Sequence, residues 1–153
     1  MPTFKVDAEL PASAPRVWLA LKDSPTIVPK IAPHAVASME QIEGTDEKIG
    51  AVRLVKFGTA APAGAYVKEK LLVLDHTTLS VCTEDVEGGH LVQGFTKWVS
   101  SWKLTPISEA TCKWEASVEY EGENEAAIAQ AKEGMTKLFM GLATYVRNTG
   151  AYA

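Results

Sequence analysis

Cysteine is scarce in this chain. Only Cys82 and Cys112 occur, too few for a disulfide scaffold or a thiolate zinc cluster, and both fall inside alternating, strand-like runs that make them buried free thiols. Long apolar runs are missing as well: stretches such as Leu71 to Leu74 are far shorter than the roughly 20 residues that cross a bilayer, so no membrane partner is expected. The opening residues, Met1 to Asp7, lack the basic cluster, apolar segment and small-residue cleavage site of a secretory signal. Together with the free thiols this points to the cytoplasm. Positive charge is outnumbered, 15 Lys and Arg against 19 Asp and Glu, for a net charge of -4. A nucleic-acid surface needs a basic stripe, and none is present. The histidines, His34, His76 and His90, are far apart in or beside predicted turns, without metal-ligand spacing, and are expected to face solvent. No Gly-x-Ser-x-Gly elbow surrounds Ser100 or Ser101, which removes the usual hydrolase signature. Neither a metal nor a cofactor is expected, and the chain is expected to be a monomer.

What remains is ordinary globular composition, 46% hydrophobic and 22% charged over 153 residues, enough for one domain over 1–153 with a sizeable core. Phe4, Val6, Ala8 and Leu10 alternate with charged residues, the period of a half-buried strand. Pro11 ends it. Ser13 and Pro15 start a short helix reaching Leu21, and Ser24 and Pro25 start another reaching Ala32, limited to about two turns by Pro29. From Val36 to Tyr120, turn residues separate six β-rich runs, near 36–43, 51–57, 65–74, 78–86, 90–104 and 111–120. After Gly122 the period changes to 3.6, with Ile128, Ala131, Met135, Leu138, Leu142 and Tyr145 on one face of a long helix. Asn124 caps its start and Asn148-Thr149-Gly150 ends it. Short connections argue for an antiparallel meander whose apolar face is covered by the last helix, an α+β fold.

The segments Glu43-Gly44, Tyr66-Val67-Lys68-Glu69-Lys70-Leu71-Leu72-Val73-Leu74-Asp75, Val86-Glu87-Gly88-Gly89-His90 and the tail from Tyr145 to Tyr152 resemble the plant pathogenesis-related class ten proteins, the birch pollen allergen and major latex protein family. The resemblance spans essentially the whole chain. It implies a seven-stranded antiparallel sheet gripping the C-terminal helix (a helix-grip, START-like arrangement), two short helices in a V, and a large apolar cavity. It also implies binding of small hydrophobic plant molecules such as cytokinins, flavonoids, steroids or alkaloids, and in some members alkaloid-forming catalysis. The family's glycine-rich loop is here Gly44-Thr45-Asp46-Glu47-Lys48-Ile49-Gly50, without central glycines and with two added acids, a poor cradle for phosphate.

Period two places Glu69 on the same face as Val67, Leu71 and Val73, with Lys68 and Lys70 opposite. A carboxylate facing an apolar cavity pays desolvation, which raises its pKa. Three roles fit Glu69: a solvated structural group at the sheet end, an anchor for a ligand amine or hydroxyl, or a general acid/base. In the norcoclaurine synthase branch of the family a Tyr, a Glu, a Lys and an Asp act in the cavity. Their positions fall here on Val67, Glu69, Val81 and Ser100, so the resemblance carries over one group of four. Trp98, Ser100 and Trp102 share a face with Val92 and Leu104, serving either core packing or a pocket wall. Gly134 and Gly141 share a helix face beside Ala131, Leu138 and Tyr145 that looks into the sheet. Leaving side-chain volume out there suits either a ligand against the helix or a closely packed strand. The candidate ligand-binding set is therefore Val67, Glu69, Leu71, Val81, Thr83, Trp98, Ser100, Gly134, Met135, Leu138, Gly141 and Leu142.

Overall fold

The computed structural model describes residues 2–45 and 48–153. Asp46 and Glu47, the acids added to the glycine-poor loop, lie outside the described residues. The chain runs β1 (Thr3–Leu10), α1 (Ala14–Lys22), α2 (Ser24–Ile31), β2 (Val36–Glu43), β3 (Val52–Phe57), β4 (Tyr66–Asp75), β5 (Ser80–Gly88), a short 3-10 turn (Gly89–Val92), β6 (Phe95–Pro106), β7 (Cys112–Gly122) and α3 (Glu125–Thr149). The strands form one antiparallel sheet in the order β1-β7-β6-β5-β4-β3-β2. The seven strands, two early helices and one long helix follow the order that period and turn residues predict.

Local chemistry explains most boundaries. Pro15 and Pro25 sit in the first turns of α1 and α2, where a missing N–H costs nothing. Ser13 occupies the position before α1, but its hydroxyl makes no capping bond. Asn124 does cap: its Oδ1 accepts from the Ala127 backbone N–H at 3.0 Å, and its Nδ2 donates to the Gln93 carbonyl at 2.7 Å. At the other end Gly150 adopts the left-handed conformation that stops α3, with φ 69°. There Arg16, from α1, donates to the carbonyls of Val146 at 2.7 Å and Ala151 at 2.9 Å. A cation at a helix C-terminus also complements the dipole.

Between β4 and β5 strict alternation fails in two places, both bulges. Leu71 pairs with Thr83 while Val73 pairs with Cys82, so Leu72 is an extra residue on β4. Lys68 pairs with Glu87 while Glu69 pairs with Asp85, so Val86 is extra on β5. A single inserted residue reverses every facing beyond it. Val73, expected inside, is therefore 46% exposed, and Leu74 takes the inner face. The sixth strand begins at Phe95 rather than 90. Gly88 and Gly89 both have positive φ, and a Cβ on Gly88 would sit 2.4 Å from the Tyr66 carbonyl oxygen. This turn lifts Gly89–Val92 out of the sheet and leaves Val92 exposed. Cys112 is buried, and burial pushes its thiol up to about 11. Cys82, expected buried, is only half-buried because it pairs with Val73, past the β4 bulge on the outer face.

Two packed clusters form the core. The larger joins α1 and α2 to Trp114, Phe139, Leu142, Ala143 and Val146. The smaller gathers Phe4, Phe95, Trp98, Val118 and Ala127. Both involve α3, near its two ends, and the space between them is not filled by side chains.

Candidate functional site

That space is a cavity of about 610 Å³. Its walls follow from strand alternation. Leu71 and Leu74 come from β4, Val81 and Thr83 from β5, Trp98, Ser100 and Trp102 from β6, and Ala131, Gly134, Met135, Leu138 and Phe139 from α3. Trp18 and Leu21 of α1 contribute at the helical side. Nine of the expected residues line it, Glu69, Leu71, Val81, Thr83, Trp98, Ser100, Gly134, Met135 and Leu138. Three do not. Val67 is buried so close to Gly89 that a Cβ on that glycine would meet it at 2.5 Å, and it lies under the double-glycine turn instead of the cavity. Leu142 is wholly buried in the larger core cluster. Gly141 faces α2, since a Cβ there would lie 3.6 Å from Ile31 Cδ1. A Cβ on Gly134 would meet nothing within 4 Å. The two glycines, although the helical repeat puts them on one face, thus serve different neighbours.

Four of the polar groups on these walls fall in one row. In the sheet register Arg53 on β3 pairs with Glu69 on β4, which pairs with Asp85 on β5, and all three line the cavity. Asp85 is 7% exposed. Its Oδ2 accepts from the His90 backbone N–H at 3.1 Å and from His90 Nδ1 at 2.9 Å. The His90 ring also lies flat on Trp98, with centroids 3.6 Å apart and planes 9° apart. A row Arg53, Glu69, Asp85, His90 therefore crosses one part of the cavity wall. Burial is the main force on the Glu69 carboxyl; the Asp85 charge adds to it and Arg53 opposes it, leaving Glu69 raised to about 7. Lys22 of α1 also lines the cavity.

Three members of this set escape a reading of the sequence. Asp85 follows Val81 and Thr83 at period two, so the alternation itself carries the signal. Arg53 likewise sits where a charge interrupts the Val52–Phe57 run. His90, expected to face solvent, is drawn inward because the double-glycine turn folds it back onto Asp85 and Trp98. His34 is exposed as expected. His76 is exposed too, but its Nδ1 accepts from Trp18 Nε1 at 3.1 Å. On the outer face, Lys68 pairs with Glu87 at 2.9 Å and the Tyr66 hydroxyl donates to Glu87 at 2.9 Å, so Tyr66 is turned away from the cavity. Among the described residues no group of three His, Cys, Asp or Glu side chains is arranged to hold a metal. No described helix is long and apolar enough to cross a membrane.

Comparison with known proteins agrees with this architecture. A Pathogenesis-related protein 1 of Asparagus officinalis is 32% identical over 136 residues, covering 87% of this chain and 85% of that protein. Among solved structures, Ara h 8.0201 superposes with a TM-score of 0.80 at 20% identity, covering 96% of this chain and 98% of that one. Norcoclaurine synthase from Thalictrum flavum, solved in complex with dopamine and hydroxybenzaldehyde, gives 0.75 at 21% identity, covering 96% of this chain and 87% of that one. At such identities the structures speak for the fold. The sequence pattern of the Pathogenesis-related protein Bet v 1 family matches residues 1–149, and with the helix-gripping sheet and the central cavity already described, the chain belongs to that family.

Proposed function

We propose that the protein is an intracellular, cytoplasmic binding protein for a small hydrophobic or amphipathic metabolite or hormone, of cytokinin, flavonoid, steroid or alkaloid type, held in the cavity between sheet and α3. The observation that carries this reading is the division of the wall: about 610 Å³ of space, within the range of small-molecule sites, lined by aromatic and aliphatic side chains, with Arg53, Glu69, Asp85 and His90 gathered into one row. Apolar walls supply affinity with loose shape selection. The row orients a polar end. The Thalictrum flavum neighbour, solved with dopamine and hydroxybenzaldehyde, is in keeping with small aromatic ligands in this fold.

Titration with Nile red and a panel of apolar metabolites, with chelator controls, tests the proposal. Saturable micromolar binding that is indifferent to chelator is expected, and no saturable binding across the panel overturns it. A second reading, a cofactor-free enzyme of specialised metabolism catalysing a cyclisation, isomerisation or dehydration with Glu69 as acid/base, is favoured by one observation. A carboxyl held near pH 7 is poised for proton transfer at neutral pH. The implied norcoclaurine-type set does not support that particular condensation, because Val67, Val81 and Ser100 replace its other groups.

A further inference from the structure

We propose that His90, oriented by Asp85, is the base of a proton-transfer site in this cavity, that Glu69 is the acid opposite it, and that the substrate is an apolar ketone that enolises. The inference rests on the reading that the cavity admits small molecules, and adds to it a second titrating group and a substrate class.

The geometry begins with Asp85. A buried carboxylate accepting both the His90 backbone N–H and Nδ1 can only accept, so Nδ1 donates, and in the neutral form of the ring Nε2 is the acceptor. Among the described residues no hydrogen bond engages Nε2. Trp98 covers one face of the ring, so the imidazole is fixed in plane as well as in tautomer, and its side chain keeps 29% exposure. Asp85 thus acts as a positioning residue, the role a carboxylate plays behind a histidine base. A histidine needed only to fill space requires neither a buried carboxylate behind it nor a ring stack. Glu69 stands directly across the strand pair from Asp85, and directly opposed Cβ atoms are about 4.5–5.5 Å apart. Acid and base therefore flank the same part of the cavity, separated by the carboxylate that serves one of them. The remaining charged lining groups are Arg53 beside Glu69 and Lys22 from α1.

Two groups with opposed tasks need opposed protonation, and burial favours the proton on Glu69. Glu69, raised to about 7, holds its proton in part of the molecules at neutral pH and so can donate a hydrogen bond to a ketone oxygen. His90 Nε2 then removes a proton from the adjacent carbon. The C–H pair becomes the enolate double bond, charge collects on oxygen under the Glu69 O–H, and the imidazolium forms against Asp85. Return of the proton to the same carbon gives exchange, and return to a conjugated carbon gives double-bond isomerisation. Either way the base is regenerated and no co-reactant is consumed.

The test uses 2-tetralone in D₂O, with deuterium entry at its activated methylene followed by NMR and Nile red binding measured in parallel. Exchange per site about a hundredfold faster than with free imidazole at equal concentration is expected, the lower end of general acid–base contributions. The pH profile should fall above about 7, as Glu69 loses its proton. His90→Phe and His90→Gln should lose exchange, with the Nile red titration reporting whether the cavity still forms; Asp85→Asn should slow exchange and leave the falling limb in place, and Glu69→Gln should abolish that limb. Wild-type protein that binds Nile red but exchanges no faster than imidazole overturns this inference alone, as does exchange surviving in both His90 variants. Failure of wild-type protein to bind either Nile red or 2-tetralone overturns the binding reading along with it.

Discussion

Replacing Glu69 by Gln should make the protein more stable at alkaline pH while changing little in acid. An ordinary glutamate ionises near 4.5 and Glu69 near 7. Below pH 4.5 the folded and unfolded chains both keep the proton, and the favourable neutral state of Glu69 contributes fully. Between 4.5 and 7 the unfolded chain releases its proton while the folded chain holds on, so stability falls as pH rises. Above 7 both are ionised and the loss is complete. At about 1.4 kcal/mol per pH unit the displacement from 4.5 to about 7 corresponds to roughly 3 kcal/mol. Glu69 is half-buried, facing a cavity that water can enter, which screens part of this and leaves about 2 kcal/mol. Glutamine keeps the shape and cannot ionise, so the variant escapes the penalty. For a chain of this length 1 kcal/mol moves Tm by roughly 2–4 °C. Melting wild type and Glu69→Gln at pH 4.5 and pH 8 should therefore show the variant gaining about 4–8 °C on wild type between the two conditions. The other carboxylates titrate in both proteins and cancel in the difference. Parallel pH curves would mean that Glu69 is as well solvated in the folded chain as in the unfolded one, and the polar row would lose its acid.

Two further expectations concern α3. Gly134→Ala should raise stability by up to about 1 kcal/mol through helix propensity, because no atom lies in the way, while weakening the binding of bulky ligands. Gly141→Ala should leave binding unchanged, since Ile31 and not the cavity lies beside it; paired melting and Nile red titrations separate the two, and equal effects on binding would refute the assignment of faces. Asn124→Ala removes the cap and the bond to Gln93 and should cost about 1–2 kcal/mol in chemical denaturation.

The architecture is legible in the sequence because each element announces itself by period: Cys112 to Tyr120 by strict alternation, Ile128 to Tyr145 by the helical repeat. Glu69 emerges from the same arithmetic, being the one charge on an otherwise apolar face. The arithmetic fails where an extra residue enters a strand. Nothing in Leu71-Leu72-Val73-Leu74 marks which of four apolar residues is the bulge, so period two puts Val73 inside and passes over Leu74. His90 is hidden for another reason. Its partners Asp85 and Trp98 lie five residues back and eight ahead, and only the left-handed pair Gly88 and Gly89 brings the three together. Val67 and Leu142 sit on the expected faces, yet packing closes over them, and the limits of a void depend on every neighbour at once.

The way α3 is fastened has a mechanical consequence. Asn124 moors its first turn to the loop before β6, and Arg16 moors its last turn to α1, while the segment from Ala131 to Leu138 borders empty space. It resembles a beam held at its ends and more lightly supported at mid-span, where Ala131, Met135 and Leu138 touch the core clusters on one side and the cavity on the other. Bending of such a beam is soft in the middle and stiff at the supports, and its backbone hydrogen bonds survive small deflections. A slight bow of the helix therefore changes the width of the cavity without unpinning either end.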